Sequence, residues 1–131
     1  MLNSPGQYTS MIDAMGAVTS GAGDTILVHG STINYGSFTI GRDNVVIIGT
    51  GHNPDKQFPY VATFTEIYVN GNNIQLIGLT VNAIQFFHSN FTMRRCKILG
   101  SQLQTYAVSG YNSSSDLNVL IESNVFTSTG L

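Results

Sequence analysis

Charge is what this sequence has least of. Only 9% of its 131 residues are Asp, Glu, Lys or Arg, against roughly 25% in an average globular chain. Five basic and seven acidic residues leave no basic stripe for nucleic acid and no polybasic patch for anionic lipid. A single cysteine, Cys96, excludes an intrachain disulfide and a cysteine-built zinc site. The longest apolar runs are four or five residues, such as Val45-Val46-Ile47-Ile48, far short of the about 20 that a membrane-spanning helix needs. Residues Met1 to Gly6 carry neither the charged region nor the apolar stretch of a signal peptide. The expectation is therefore a cytoplasmic chain, or one whose leader lies outside this sequence.

Small uncharged residues fill the gap. Gly, Ser, Thr and Asn together supply 52 of the 131 residues, and 42% are hydrophobic. Disorder requires low hydrophobicity together with high charge, so the chain is expected to fold, at a length that suits one domain.

One segment reads as a helix. Tyr8, Met11, Ile12, Met15 and Val18 recur at helical spacing. Ser10 followed by Asp13 resembles a capping box with an aspartate in the third helical position. Gly21-Ala22-Gly23-Asp24 stops it. Everything downstream reads as strand and turn: 25–30, 37–40, 44–49, 65–69, 74–81, 84–87, 91–99, 106–108 and 119–126. Nearly every gap carries Gly, Asn, Asp or Ser, which tolerate left-handed turns. Residues 50–64, with Pro54 and Pro59, read as a loop projecting from the body.

An internal repeat organises these strands. Asn44-Val45-Val46-Ile47-Ile48-Gly49, Asn73-Ile74-Gln75-Leu76-Ile77-Gly78, Asn90-Phe91-Thr92-Met93-Arg94-Arg95 and Asn118-Val119-Leu120-Ile121-Glu122-Ser123 align, each led by Asn. The last three run on into Leu79-Thr80-Val81, Cys96-Lys97-Ile98 and Asn124-Val125-Phe126. Spacings of 29, 17 and 28 residues between the asparagines are what insertions confined to turns produce in a repeat protein. A sandwich has strands at similar intervals but gives no reason for an Asn-led phrase to recur. Stacked coils do, because an Asn at a corner can hydrogen-bond to the turns above and below.

The phrases Gly23-Asp24-Thr25-Ile26-Leu27-Val28, Tyr35-Gly36-Ser37-Phe38-Thr39-Ile40 and Asn44 to Gly49, behind an apolar-spaced helix, resemble the start of right-handed parallel β-helix proteins of the pectin-lyase-like superfamily. Gly30-Ser31-Thr32, Tyr35-Gly36 and Ile48-Gly49-Thr50-Gly51 are similar to the N-terminal coils of secreted bacterial members. The resemblance covers most of residues 7–126. It implies an all-β solenoid of about five or six coils at residues 25–126, with an N-terminal amphipathic capping helix at about 7–18, and a secreted or surface location. The fold hosts lyases, hydrolases, esterases, tailspikes and adhesins, so it does not itself assign a function.

Chemistry is sparse. Lyases of this fold hold calcium with clustered carboxylates, and calcium takes about six to eight oxygen ligands. Here Asp13, Asp24, Asp43, Asp55, Asp116, Glu66 and Glu122 are scattered singly. Glu66 and Glu122 can line one face on different coils, as glycosidases require of their two carboxylates, but no local motif selects them. Arg94-Arg95 is the only basic doublet, and strand alternation sends one of the two inward unless a strand end intervenes. His29, His52 and His88 lack the spacing of metal ligands. Cys96 reads as a buried core thiol.

No catalytic residue, metal site or cofactor is therefore expected from this chain. Aromatics beside amides and hydroxyls suit sugars, with ring faces stacking and polar groups meeting hydroxyls. Phe58, Tyr60, Tyr106 and Tyr111, in or beside two turn regions, are the expected carbohydrate contacts. The leading expectation is a secreted or surface scaffold that binds polysaccharide. The alternatives are the N-terminal portion of a polysaccharide lyase or glycoside hydrolase, or a phage tailspike or adhesin coil segment. Nothing amphipathic follows the strand at 119–126, so an uncapped C-terminal end is expected to continue into a longer β-helix or to associate with itself.

Overall fold

The structure, a computed structural model, describes residues 8–17, 23–51, 60–100, 108–110 and 118–127. Among these described residues there are one short helix and eleven strands in two parallel sheets. Helix α1 (Met11–Ala17) opens on the expected cap. The Asp13 amide donates to Ser10 Oγ at 3.1 Å, and the Ser10 hydroxyl donates to Asp13 Oδ2 at 2.7 Å. This satisfies one of the four N–H groups that a helix start leaves open. Met11, Ala14 and Met15 are buried, and the helix packs against β2. The expected apolar face is corrected in part, since Ile12 and Tyr8 are exposed. At about 100° per residue, Met11, Ala14 and Met15 share an arc that Ile12 lies outside.

Strands β1 (Asp24–Leu27), β3 (Val45–Ile48), β5 (Ile74–Ile77), β7 (Phe91–Arg94) and β10 (Val119–Glu122) form the first sheet in that order. The second contains β2 (Phe38–Ile40), β4 (Thr63–Val69), β6 (Thr80–Phe86), β8 (Lys97–Ile98) and β11 (Val125–Phe126). Strand β9 (Val108–Gly110) joins the far half of β6. Apart from β9, the chain alternates between the sheets, and each new strand pairs in parallel with the preceding strand of its own sheet.

Register follows the asparagine spacing. Val46 lies opposite Gln75, Ile74 opposite Phe91, and Phe91 opposite Val119, which are steps of 29, 17 and 28 residues. Inward positions form apolar ladders because side chains alternate along a strand and partners in register share a face. Ile26, Ile47, Leu76, Met93 and Ile121 make one ladder. In the second sheet Phe64, Val81, Ile98 and Phe126 make another. One core cluster draws on both sheets, with Ile47, Leu76 and Met93 from the first and Phe64, Ile67, Ile84 and Ile98 from the second among its residues of 0% exposure.

Three stretches that read as single strands are each divided. Residues 74–81, 91–99 and 119–126 break at Gly78, Arg95 and Ser123, whose φ values are 68°, 52° and 56°. These are the sixth residues of the aligned phrases. A left-handed residue there turns the chain out of one sheet and into the other. Conversely, residues 84–87 are not a strand of their own: Ile84 to Phe86 continue β6.

Candidate functional site

The interior is apolar, so any site lies on outward rows and corners. The asparagine corner precedes the first-sheet strands. Asn44, Asn73 and Asn90 take φ values of 58°, 56° and 61°, the region that Asn enters more readily than most residues. Their side chains bond along the stack. Asn73 Nδ2 donates to Asn44 Oδ1 at 2.8 Å, and Asn118 Nδ2 donates to Asn90 Oδ1 at 3.2 Å. Asn73, Asn90, Thr92, Asn118 and Leu120 line a shallow open depression beside this corner.

The opposite corner is held by Asn124. The Cys96 amide donates to Asn124 Oδ1 at 2.8 Å, and Asn124 Nδ2 donates to the Met93 carbonyl at 2.9 Å. Cys96 is buried, its thiol donating to the Arg94 carbonyl at 3.3 Å. Loss of water around it pushes the thiol pKa up, although nearby backbone groups at Leu79, Gly78 and Arg94 oppose the shift. Cys96 is thus packing, as its sequence context implies, and a poor nucleophile.

The arginine doublet resolves by a strand end. Arg94 closes β7 facing outward, and Arg95 turns the corner. Arg94 Nε meets Glu122 Oε1 at 2.6 Å, with both side chains close to half exposed. An exposed pair of this kind contributes at most about 1 kcal/mol. Glu122 stands on β10 in the first sheet and Glu66 on β4 in the second. They do not share a face, which corrects the sequence reading of a possible carboxylate pair. His88 Nε2 lies 3.0 Å from Asn70 Oδ1, and His29 is exposed. Among the described residues no three His, Cys, Asp or Glu side chains come together as metal ligands would. In the same residues no helix is long and apolar enough to cross a membrane.

Of the expected sugar contacts, Tyr60 is described: it is half exposed and stands just ahead of β4. Its backbone crosses Gly30 so closely that a Cβ there would collide with the Tyr60 carbonyl, which fixes where the ring emerges. Phe58, Tyr106 and Tyr111 lie outside the described residues. Sequence reasoning missed Tyr68. On the outer face of the second sheet, Thr39, Tyr68, Gln85 and Ser109 stand in register on successive strands. Neighbouring strands are about 4.8 Å apart, so this is a straight row of hydroxyl, ring, amide and hydroxyl. The signal was the alternation in Ile67-Tyr68-Val69, where two buried residues flank the tyrosine.

The comparisons with known proteins add no relative. Neither family models, curated proteins nor solved structures give a match. The rows and corners are therefore read on their own chemistry. They offer hydrogen-bond donors and acceptors at regular spacing around one tyrosine ring, with little charge.

Proposed function

We propose that the chain is a stretch of right-handed parallel β-helix of the pectin-lyase-like kind, acting as a secreted or surface scaffold that holds carbohydrate along its outer face. The solenoid reading is supported by the alternation of strands, β9 apart, between two parallel sheets and by corner residues that repeat in register. The binding reading rests on one observation, the row Thr39, Tyr68, Gln85 and Ser109. An extended polymer laid across the strands meets one side chain per strand, and a neutral saccharide loses less on desolvation there than a charged ligand would. Tyrosine supplies an apolar face for a sugar ring, while the flanking hydroxyls and amide orient its hydroxyl groups.

The test is calorimetric titration with neutral and uronic-acid oligosaccharides of increasing length. Binding is expected to strengthen with length and to weaken at least about tenfold in Tyr68→Ala, a loss of about 1.4 kcal/mol. Gln75→Ala, on the other sheet, is expected to leave it unchanged. Absence of binding by every saccharide, or an affinity indifferent to Tyr68→Ala, refutes the proposal. Release of unsaturated product from the polymer during the same titrations would instead favour a lyase.

A further inference from the structure

The last strands lie at sheet edges, as β1 and β2 do at the other end. Among the described residues, β10 pairs only with β7 and β11 only with β8. Every residue of both is exposed. Val119, Leu120, Ile121, Val125 and Phe126 keep 38–54% of their surface. Val119, Ile121 and Phe126 follow the buried Phe91, Met93 and Ile98 in register, so they are core positions covered from one side. Proteins usually blunt such an edge with charge, proline or a bulge. Here 119–121 and 125–126 have none of these, and the one charge on these two strands, Glu122, is already paired with Arg94.

We propose that this edge joins two copies of the chain about a two-fold axis, with β10 running antiparallel to β10 of the second copy and Leu120 opposite Leu120. A two-fold contact brings identical surfaces together, so a charged edge would repel itself, and this one is nearly neutral. Directly opposed residues in an antiparallel pair share one face of the sheet. A register centred between Leu120 and Ile121 sets an outward residue against an inward one and is excluded. A register centred on Ile121 sets Val119 against Ser123, which has already left the strand at a φ of 56°. Centring on Leu120 sets Val119 against the second copy's Ile121, both inward, and prolongs the core ladders. The five apolar side chains offer at most on the order of 400 Å² per chain, about 800 Å² in the pair, below the roughly 1,200 Å² of a stable interface and in the range of weak, transient contacts. Weak, concentration-dependent association is therefore expected.

Light scattering coupled to size exclusion, over about 5–500 μM protein, tests this. The expected result is a concentration-dependent dimer that Leu120→Lys converts to monomer throughout the range, with unchanged circular dichroism, because two lysines then meet on the axis. Leu120→Cys reports the register. Directly opposed Cβ atoms are about 4.5–5.5 Å apart, close to disulfide reach, so mild oxidation is expected to yield a covalent dimer. Gln75→Cys, on an interior strand, is expected not to cross-link. A monomer at every concentration, which is the outcome if another segment covers the edge, overturns the proposal. So does an assembly larger than a dimer, or a dimer that survives Leu120→Lys.

Discussion

Asn124→Ala isolates what one corner side chain contributes. In the folded chain the Asn124 amide group spans two backbone groups of the preceding row, accepting from the Cys96 N–H at 2.8 Å and donating to the Met93 carbonyl at 2.9 Å. Cys96 is 1% and Met93 0% exposed, so water replaces the lost partners poorly. A hydrogen bond contributes about 0.5–1.5 kcal/mol net, and a stranded buried group costs about 1–3 kcal/mol. Allowing for partial access by water, the loss is about 2–3 kcal/mol from a total of roughly 5–15. For a chain of this size that lowers Tm by roughly 8–12 °C. Asn73→Ala is the comparison. It forfeits one exposed bond to Asn44 and places alanine at a φ of 56°, which costs about 1–2 kcal/mol. Asn73→Gly, free of that strain, is expected to cost less than Asn73→Ala. Urea titrations read all three as shifts in midpoint at constant slope. If Asn124→Ala costs less than about 0.5 kcal/mol, or less than the strain-free Asn73→Gly, the corner is not held by its side chain and the reasoning fails.

Two further substitution sets probe close packing and the buried thiol. A Cβ at Gly71 would strike the Arg42 carbonyl, whereas one at Gly41 meets nothing within 4 Å. Gly71→Ala is therefore expected to destabilise by about 2–3 kcal/mol, and Gly41→Ala to be neutral or slightly stabilising, as thermal denaturation would show. Burial raises the Cys96 pKa above its ordinary value of 9.0. Above that pH the unfolded chain binds fewer protons than the folded one, so stability falls as pH rises. The fall is expected to be shallower in Cys96→Ala, and thiol reagents at pH 8 should label the wild type only as fast as it opens.

Much of this architecture is written locally. Asn44, Asn73 and Asn90 carry the register because each sits in the left-handed region where the chain turns, which Asn enters more readily than most residues. Their spacing therefore measures the chain length between paired strands. The breaks at Arg95 and Ser123 were not legible, since neither residue type signals a left-handed turn. The aligned Gly78 was the available hint, one phrase earlier. The helix face was misjudged at Ile12 because hydrophobicity does not say which side meets a neighbour, and β2 decides that. Glu66 and Glu122 seemed able to share a face until the alternation of sheets separated them. The row through Tyr68 depends on pairing across 29, 17 and 24 residues, and no local pattern reveals its other members.

That alternation also fixes how the molecule answers force. β1 and β10 lie at opposite edges of the first sheet, and the hydrogen bonds between strands run from one edge toward the other. A pull applied through these two strands loads the bonds of one row end-on and in sequence, so the rows peel apart like a zipper instead of shearing all at once. Anchored at its two edges, the protein would yield at low force and in small steps, as a compliant spacer does.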